Sequence, residues 1–221
     1  MSQSFHINEY FFAKEVKPEI IDTFWAEGWR HFGEYFFRYS LGYYEFQIRQ
    51  VIPLRIRLAD FTFSKNQRRN LKKNQDLKII IRPIAITDEK IALFERHKQR
   101  FNHGVPQSIY DFLSPAPASV PCKALEFCVY ENENLLAVSF LAIGETAVSS
   151  IYAMFEPTET KRGLGIFTML LEIDFAIKTE KTFYYQGYCY QGNSFYDYKK
   201  RFSALEKFDW LGNWKKFDEI I

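Results

Sequence analysis

The sequence is poor in the residues that build metal centres and disulfide frameworks. Its 221 residues include three cysteines, Cys122, Cys128 and Cys189, with no Cys-x-x-Cys pair and no His/Cys metal spacing. An odd, scattered set excludes a disulfide scaffold, argues against a metal site and fits a reducing cytoplasm. Cys189 reads as a small buried hydrophobe. No apolar run approaches the roughly 20 residues needed to cross a bilayer, so no membrane partner is expected. Residues 1–10 lack the charged-then-apolar order of a signal peptide. There is no internal repeat, no low-complexity tract, and no Ser-His-Asp or Cys-His pattern. Net charge is also small, formally +2. Aromatic residues, in contrast, are plentiful: 23 Phe, 14 Tyr and 4 Trp make up 19% of the chain, most of it needed for a core.

The little net charge there is has been concentrated. Lys65, Arg68, Arg69, Lys72 and Lys73 fall within nine residues, which leaves the rest of the chain at −3. Ser64 followed by Gln67 is a capping-box pattern, and nothing in 64–77 breaks a helix. At about 100° per residue the five cations span an arc of roughly 140°. Such a face is either solvated and paired with acids such as Asp76, or a row of phosphate-binding groups.

Periodicity predicts a helix over 17–28 stopped by Gly28, and strands over 35–39 and 52–63. In the second strand Arg55, Arg57 and Asp60 alternate with Leu54, Ile56 and Leu58, which predicts one wet face. A strand over 77–83 and a helix over 88–101 follow, then a loop over 102–121 punctuated by Gly104 and Pro106. Residues 125–130, 135–143 and 147–155 are three apolar strands joined by tight turns, a meander. A turn-rich loop ends in Gly163-Leu164-Gly165. The next helix, 166–178, has Ile166, Leu170, Ile173 and Ile177 on one face, with Thr168, Glu172 and Thr179 opposite. A strand over 182–188 and a helical 194–202 complete the order.

Meander, glycine loop, helix, strand, helix is the core order of the GCN5-related acyltransferases. The expected fold is therefore α/β (α+β), an N-acyltransferase-like mixed sheet with flanking helices. It would form a single domain over 1–221, with a helix-and-strand extension (1–50) before the core (51–221). Individual segments sharpen this. Gly28-Trp29-Arg30 with Gly33, Pro53-Leu54-Arg55-Ile56, the 64–77 stretch, Ser149-Ser150-Ile151-Tyr152 and Phe155-Glu156-Pro157 occur in one order. Leu164-Gly165 with Glu172-Ile173, Gly187-Tyr188, Tyr198-Lys199 and Leu205-Glu206 continue it. Together, over about nine-tenths of the chain, they resemble the aminoacyl-tRNA–protein transferases of the N-degron pathway. Against that pattern, Glu45, Ile48 and Val51 stand where the family has a second cysteine cluster. Asn193, Phe195 and Tyr196 replace Ser, Lys and Met. The family's first cysteine-bearing region has no counterpart in the sequence.

The resemblance implies transfer of an aminoacyl group from tRNA to the N-terminal amine of an acceptor protein in the cytoplasm. The donor is a substrate, and no cofactor is implied. A large share of an α-amine with a free pKa of about 7.7–8.0 is already neutral near pH 7.5. Positioning and oxyanion stabilisation then suffice, without a strong base. On this reading Lys65, Arg68, Arg69, Lys72, Lys73 and Lys199 contact tRNA phosphates. Gln186, Tyr188 and Tyr198 are the catalytic candidates. Arg162, Gly163, Leu164 and Gly165 form a substrate or phosphate loop. Two alternatives stay open. Residues 160–165 match all but the first position of the acetyl-CoA pyrophosphate loop. A non-catalytic relative that binds RNA or protein is the other.

Overall fold

Short aromatic strands open the computed structural model, which describes residues 6–101 and 104–217. Strands β1 (Asn8–Phe12), β2 (Arg30–Phe32) and β3 (Tyr35–Tyr39) form an antiparallel sheet in the order β1-β3-β2. Helix α1 (Pro18–Ala26) starts with proline in its first turn and stops before Gly28, whose φ is +85°. Its Phe24 packs edge-on against Phe36, 5.6 Å between ring centroids, and Phe11 stacks on Phe36 at 4.8 Å. These rings fix the small sheet to the core.

Among the described residues the large sheet has nine strands. β4 (Leu41–Tyr44) pairs with β5 (Gln47–Arg57), and β5 runs on between its neighbours in the order β12-β11-β5-β10-β9-β8-β7-β6. Helix α2 (Lys65–Lys73), β6 (Lys78–Pro83) and α3 (Asp88–Lys98) precede the predicted meander of β7 (Ala124–Glu131), β8 (Asn134–Ile143) and β9 (Ala147–Phe155). Then come α4 (Leu164–Lys178), β10 (Phe183–Tyr190), β11 (Leu205–Phe208) and β12 (Trp214–Lys216). Helices α1 and α3 cover one face with Ile21, Trp25, Leu93 and Phe94. Helix α4 covers the other with Leu170, Ile173 and Ala176. The mixed sheet with flanking helices is the predicted fold class, and the predicted segment order is present.

The capping box forms as read. Ser64 Oγ accepts from the Gln67 N–H at 3.2 Å, and Gln67 Oε1 accepts from the Ser64 N–H at 2.8 Å. Ser64→Ala is expected to cost about 1 kcal/mol in chemical denaturation.

Three expectations need correction. The two faces read for α4 do not divide core from solvent: opposite the apolar stripe Thr168 and Glu172 are 0% accessible while Thr179 is exposed, and Ile177, on the stripe, is 39% exposed. Helix α4 is flanked on one side by the sheet and contacts α2 on another, which encloses Thr168 and Glu172. The wet face of β5 is covered at Arg55, while Arg57 and Asp60 keep contact with solvent. Arg55 is buried, its guanidinium lies 3.8 Å from the Phe183 ring centroid and 4.3 Å from that of Trp214, and Glu206 accepts from it at 2.6 Å. The predicted 52–63 strand starts earlier and gives way to a 3-10 turn at Leu58–Asp60. The 102–121 loop holds a 3-10 turn at Ile109–Asp111, and its residues 102 and 103 lie outside the described residues.

Candidate active site

The one parallel pairing among the described residues of the large sheet is short. Strands β9 and β10 are joined through three residue pairs, from Ala147 with Phe183 to Ser149 with Tyr185. A bulge at Gln186 follows, after which β10 keeps its register with β5 while β9 continues with β8. The two strands part like a fork. The space they leave is a cleft of about 770 Å³. Its apolar lining includes Phe101, Phe112, Phe155, Ile166 and Met169, interleaved with Tyr152, Tyr188 and Tyr198. Arg30, Arg100 and Lys199 bring positive charge to it. Glu159 is the one carboxylate among the described lining residues, and it is paired with Arg162 at 3.5 Å.

Arg30 sits at the fork. Its Nη2 donates to the carbonyls of Ser150 (2.9 Å) and Ile151 (3.3 Å). Its Nη1 is enclosed and has no hydrogen-bond partner. Burial lowers the guanidinium pKa, without discharging so strong a base. Gly187, in the left-handed region at φ +92°, is required here because a Cβ would overlap Arg30 Nη1 and lie 3.2 Å from Lys199 Nζ. Lys199 donates to the Tyr188 carbonyl at 3.2 Å. Burial first, and then Arg30, pull its ammonium down to about 7.

Gln186 is 2% exposed and fixed in orientation. Its Nε2 donates to the Lys199 carbonyl at 2.8 Å, which leaves Oε1 buried without a partner. Tyr188 is committed elsewhere: its hydroxyl donates to the Gly28 carbonyl at 2.6 Å, burial raises its pKa strongly, and its ring forms the cleft wall. Tyr198 lines the cleft with a hydroxyl that burial pushes up to about 12. Both tyrosines therefore stay protonated at neutral pH, as donors rather than bases.

The fork also has a buried acid, on the α4 face opposite the apolar stripe. Glu172 Oε2 accepts from the Tyr184 hydroxyl at 2.6 Å, and burial pushes its carboxyl up to about 7. His97, likewise pushed down by burial to about 4, is neutral, and the Phe155 N–H donates to its Nδ1 at 3.0 Å.

Helix α2 is attached at the edge of this cleft. Asn70 Nδ2 donates to the carbonyls of Arg162 (3.0 Å) and Gly163 (3.2 Å), and Asn74 Nδ2 to that of Arg162 (3.0 Å). One turn apart, the two asparagines clamp the loop that leads into α4. Gly163, Leu164 and Gly165 line the cleft. Arg162 does not; it is held by Asp76 (3.0 Å), Glu131 (2.5 Å) and Glu159. The five helix cations are all exposed, and none is in an ion pair with an acid among the described residues. Asp76 serves Arg162 instead. Arg68 donates to the Phe63 carbonyl and Lys73 to that of Lys161 (2.8 Å), so Lys65, Arg69 and Lys72 are the least committed. No helix of the described residues is long and apolar enough to cross a membrane, and they contain no metal-binding cluster of His, Cys, Asp and Glu.

Known proteins resemble this chain in both sequence and fold. The family described as arginine-tRNA-protein transferase, C terminus, matches residues 89–209. An aspartate/glutamate leucyltransferase of Xanthomonas euvesicatoria is 31% identical over 186 residues, 74% of this chain and 70% of that protein. A Campylobacter jejuni protein of the same name is 26% identical over 203 residues, 90% and 83% of the two chains. Among solved structures, the C-terminal domain of a candidate lysylphosphatidylglycerol synthetase from Agrobacterium fabrum superposes with a TM-score of 0.50 at 12% identity. The match covers 84% of this chain and 56% of that one, a likeness of fold alone.

Proposed function

The chain belongs to the aminoacyl-tRNA–protein transferase family, and from that premise we propose that it moves a leucyl group from tRNA onto the α-amine of a protein beginning with aspartate or glutamate. One observation carries the choice of donor. The cleft offers Arg30, Arg100 and Lys199, and the one carboxylate among its described lining residues is paired with Arg162. A cationic arginyl side chain would be buried among like charges with no acid to meet it, whereas a leucyl side chain finds Phe155, Ile166 and Met169.

In the proposed reaction the neutral amine attacks the ester carbonyl. The new C–N bond forms as the C–O bond to the tRNA 3′-oxygen breaks, and the amine proton leaves with the 3′-hydroxyl. Gln186 Oε1, an acceptor without a partner, takes an N–H of the incoming amine and orients its lone pair. Tyr198 donates to the carbonyl oxygen as charge develops. Helix α2 holds acceptor-stem phosphates through Lys65, Arg68, Arg69, Lys72 and Lys73. The first-turn N–H groups of α4, behind Gly163, face the terminal phosphate. No cofactor takes part, and a tRNA donor places the reaction in the cytoplasm. The acyl-CoA alternative draws no support from Arg162, the residue next to Gly163, which is already paired with three carboxylates.

The test supplies labelled leucyl-tRNA, arginyl-tRNA and acetyl-CoA separately, with peptides beginning in Asp, Glu or Ala. Label is expected to pass from leucyl-tRNA to the Asp and Glu peptides. Transfer from arginyl-tRNA or acetyl-CoA instead would overturn the assignment.

A further inference from the structure

Two cations meet at Gly187, and the buried acid of the fork, Glu172, is bonded to Tyr184 rather than to either of them. Arg30 Nη1 occupies the space a Cβ of residue 187 would fill, and Lys199 Nζ lies 3.2 Å from the same point. Neither residue is in an ion pair with a carboxylate among the described residues. Arg30 spends Nη2 on two carbonyls and leaves Nη1 without a partner. Lys199 has one backbone carbonyl for its three donors. Both line the cleft beside Gln186. Like charges held this close are mutually unfavourable and costly to desolvate, and an anion entering the cleft relieves both costs.

Building on the proposed leucyl transfer, we propose that Lys199 Nζ and the Arg30 guanidinium form the seat for the acceptor's side-chain carboxylate, and so select an acidic first residue. An anionic oxygen group could come from the acceptor or from a phosphate of the donor. The placement favours the acceptor. The donor-side groups, α2 and the loop before α4, are tied to one another through Asn70 and Asn74. The seat is built from other elements: β10, the start of β2, and the 3-10 segment Phe195–Arg201. It is also next to Gln186 Oε1, which receives the α-amine in the proposed reaction. A first residue with its amine on Gln186 has its own side chain within a few bonds of the cation pair.

The experiment compares wild type, Lys199→Met, Lys199→Arg and Arg30→Met, using peptides that differ only in beginning with Asp, Asn, Glu or Gln. Binding is read by fluorescence polarisation with no tRNA present. Wild type is expected to favour the acid over its amide by about 10- to 100-fold, the range for charge-assisted hydrogen bonds. Lys199→Met and Arg30→Met should bring that ratio near 1 with tRNA affinity unchanged, and Lys199→Arg should keep most of it. Survival of the ratio in Lys199→Met would overturn the proposal. So would a loss that falls on tRNA affinity and spares the ratio, which would mark a phosphate seat. Lys199→Met decides the matter by itself if Arg30→Met does not fold. Because the ratio is read without the donor, a wild type that binds acids selectively yet transfers no leucine would sink the proposed reaction and leave the seat standing.

Discussion

Reversing two charges on α2, Arg69→Glu with Lys72→Glu, is expected to lower tRNA affinity by about 100-fold or more. Each residue is exposed and free of acid partners. Each charge-assisted phosphate contact contributes about 1.5–3 kcal/mol, and 1.4 kcal/mol is a factor of ten. Arg68 is the poorer choice, because it also bonds the Phe63 carbonyl. The fold should tolerate the change: a glutamate in the last helical turn opposes the helix dipole by only about 0.3–1 kcal/mol, and the Asn70 and Asn74 clamps remain. Filter binding across a salt series checks this, with the slope of log affinity against log salt expected to flatten by about 2. Full affinity at low salt would remove α2 from the tRNA interface.

The second large effect concerns stability and pH. Glu172 is ordinarily a carboxyl of pKa 4.5, and in the fold it is raised to about 7. Between those values the folded protein keeps a proton that the unfolded chain has released. Stability contributed by this group is therefore full below about pH 4.5 and falls as pH rises to about 7, by up to roughly 3 kcal/mol. Glu172→Gln cannot ionise and can still accept from the Tyr184 hydroxyl. Urea denaturation from pH 4.5 to 8 should show the two proteins converging at the acid end, with the variant about 3 kcal/mol more stable at the alkaline end. Parallel curves would mean that Glu172 does not titrate in this window.

The local grammar of the chain proved readable. The Ser64 and Gln67 capping box, the Gly28 stop and the meander turns act through residues a few positions apart, and each formed where expected. Pairings across long separations were not readable. Arg55 looked solvent-facing because β11 and β12, which bring Glu206 and Trp214 over it, are only four and three residues long. Lys90 gave no hint that it would be fully buried against Glu126, at 2.6 Å, on a strand beyond the intervening loop. At the candidate site, Gln186 and Lys199 line one cleft as the sequence led one to expect, with Lys199 read there as a tRNA contact, but the placement of Arg30 beside them was hidden. Its carbonyl partners are 120 and 121 residues away. The clamp formed by Asn70 and Asn74 was not legible beside the charges of the basic stretch, because the carbonyls they bind are about 90 residues away.

The parting of β9 from β10 has a consequence beyond substrate entry. A strand that leaves its neighbour presents bare backbone groups, which in an unprotected sheet invite an extended segment of another chain to add itself there. Here two of those carbonyls, at Ser150 and Ile151, are occupied by Arg30. The Phe112 ring stacks on Tyr152 along the same strand, 3.9 Å between centroids. The opening thus carries its own protection against self-association, and trimming the Arg30 side chain would expose an edge prone to aggregation in the middle of the molecule.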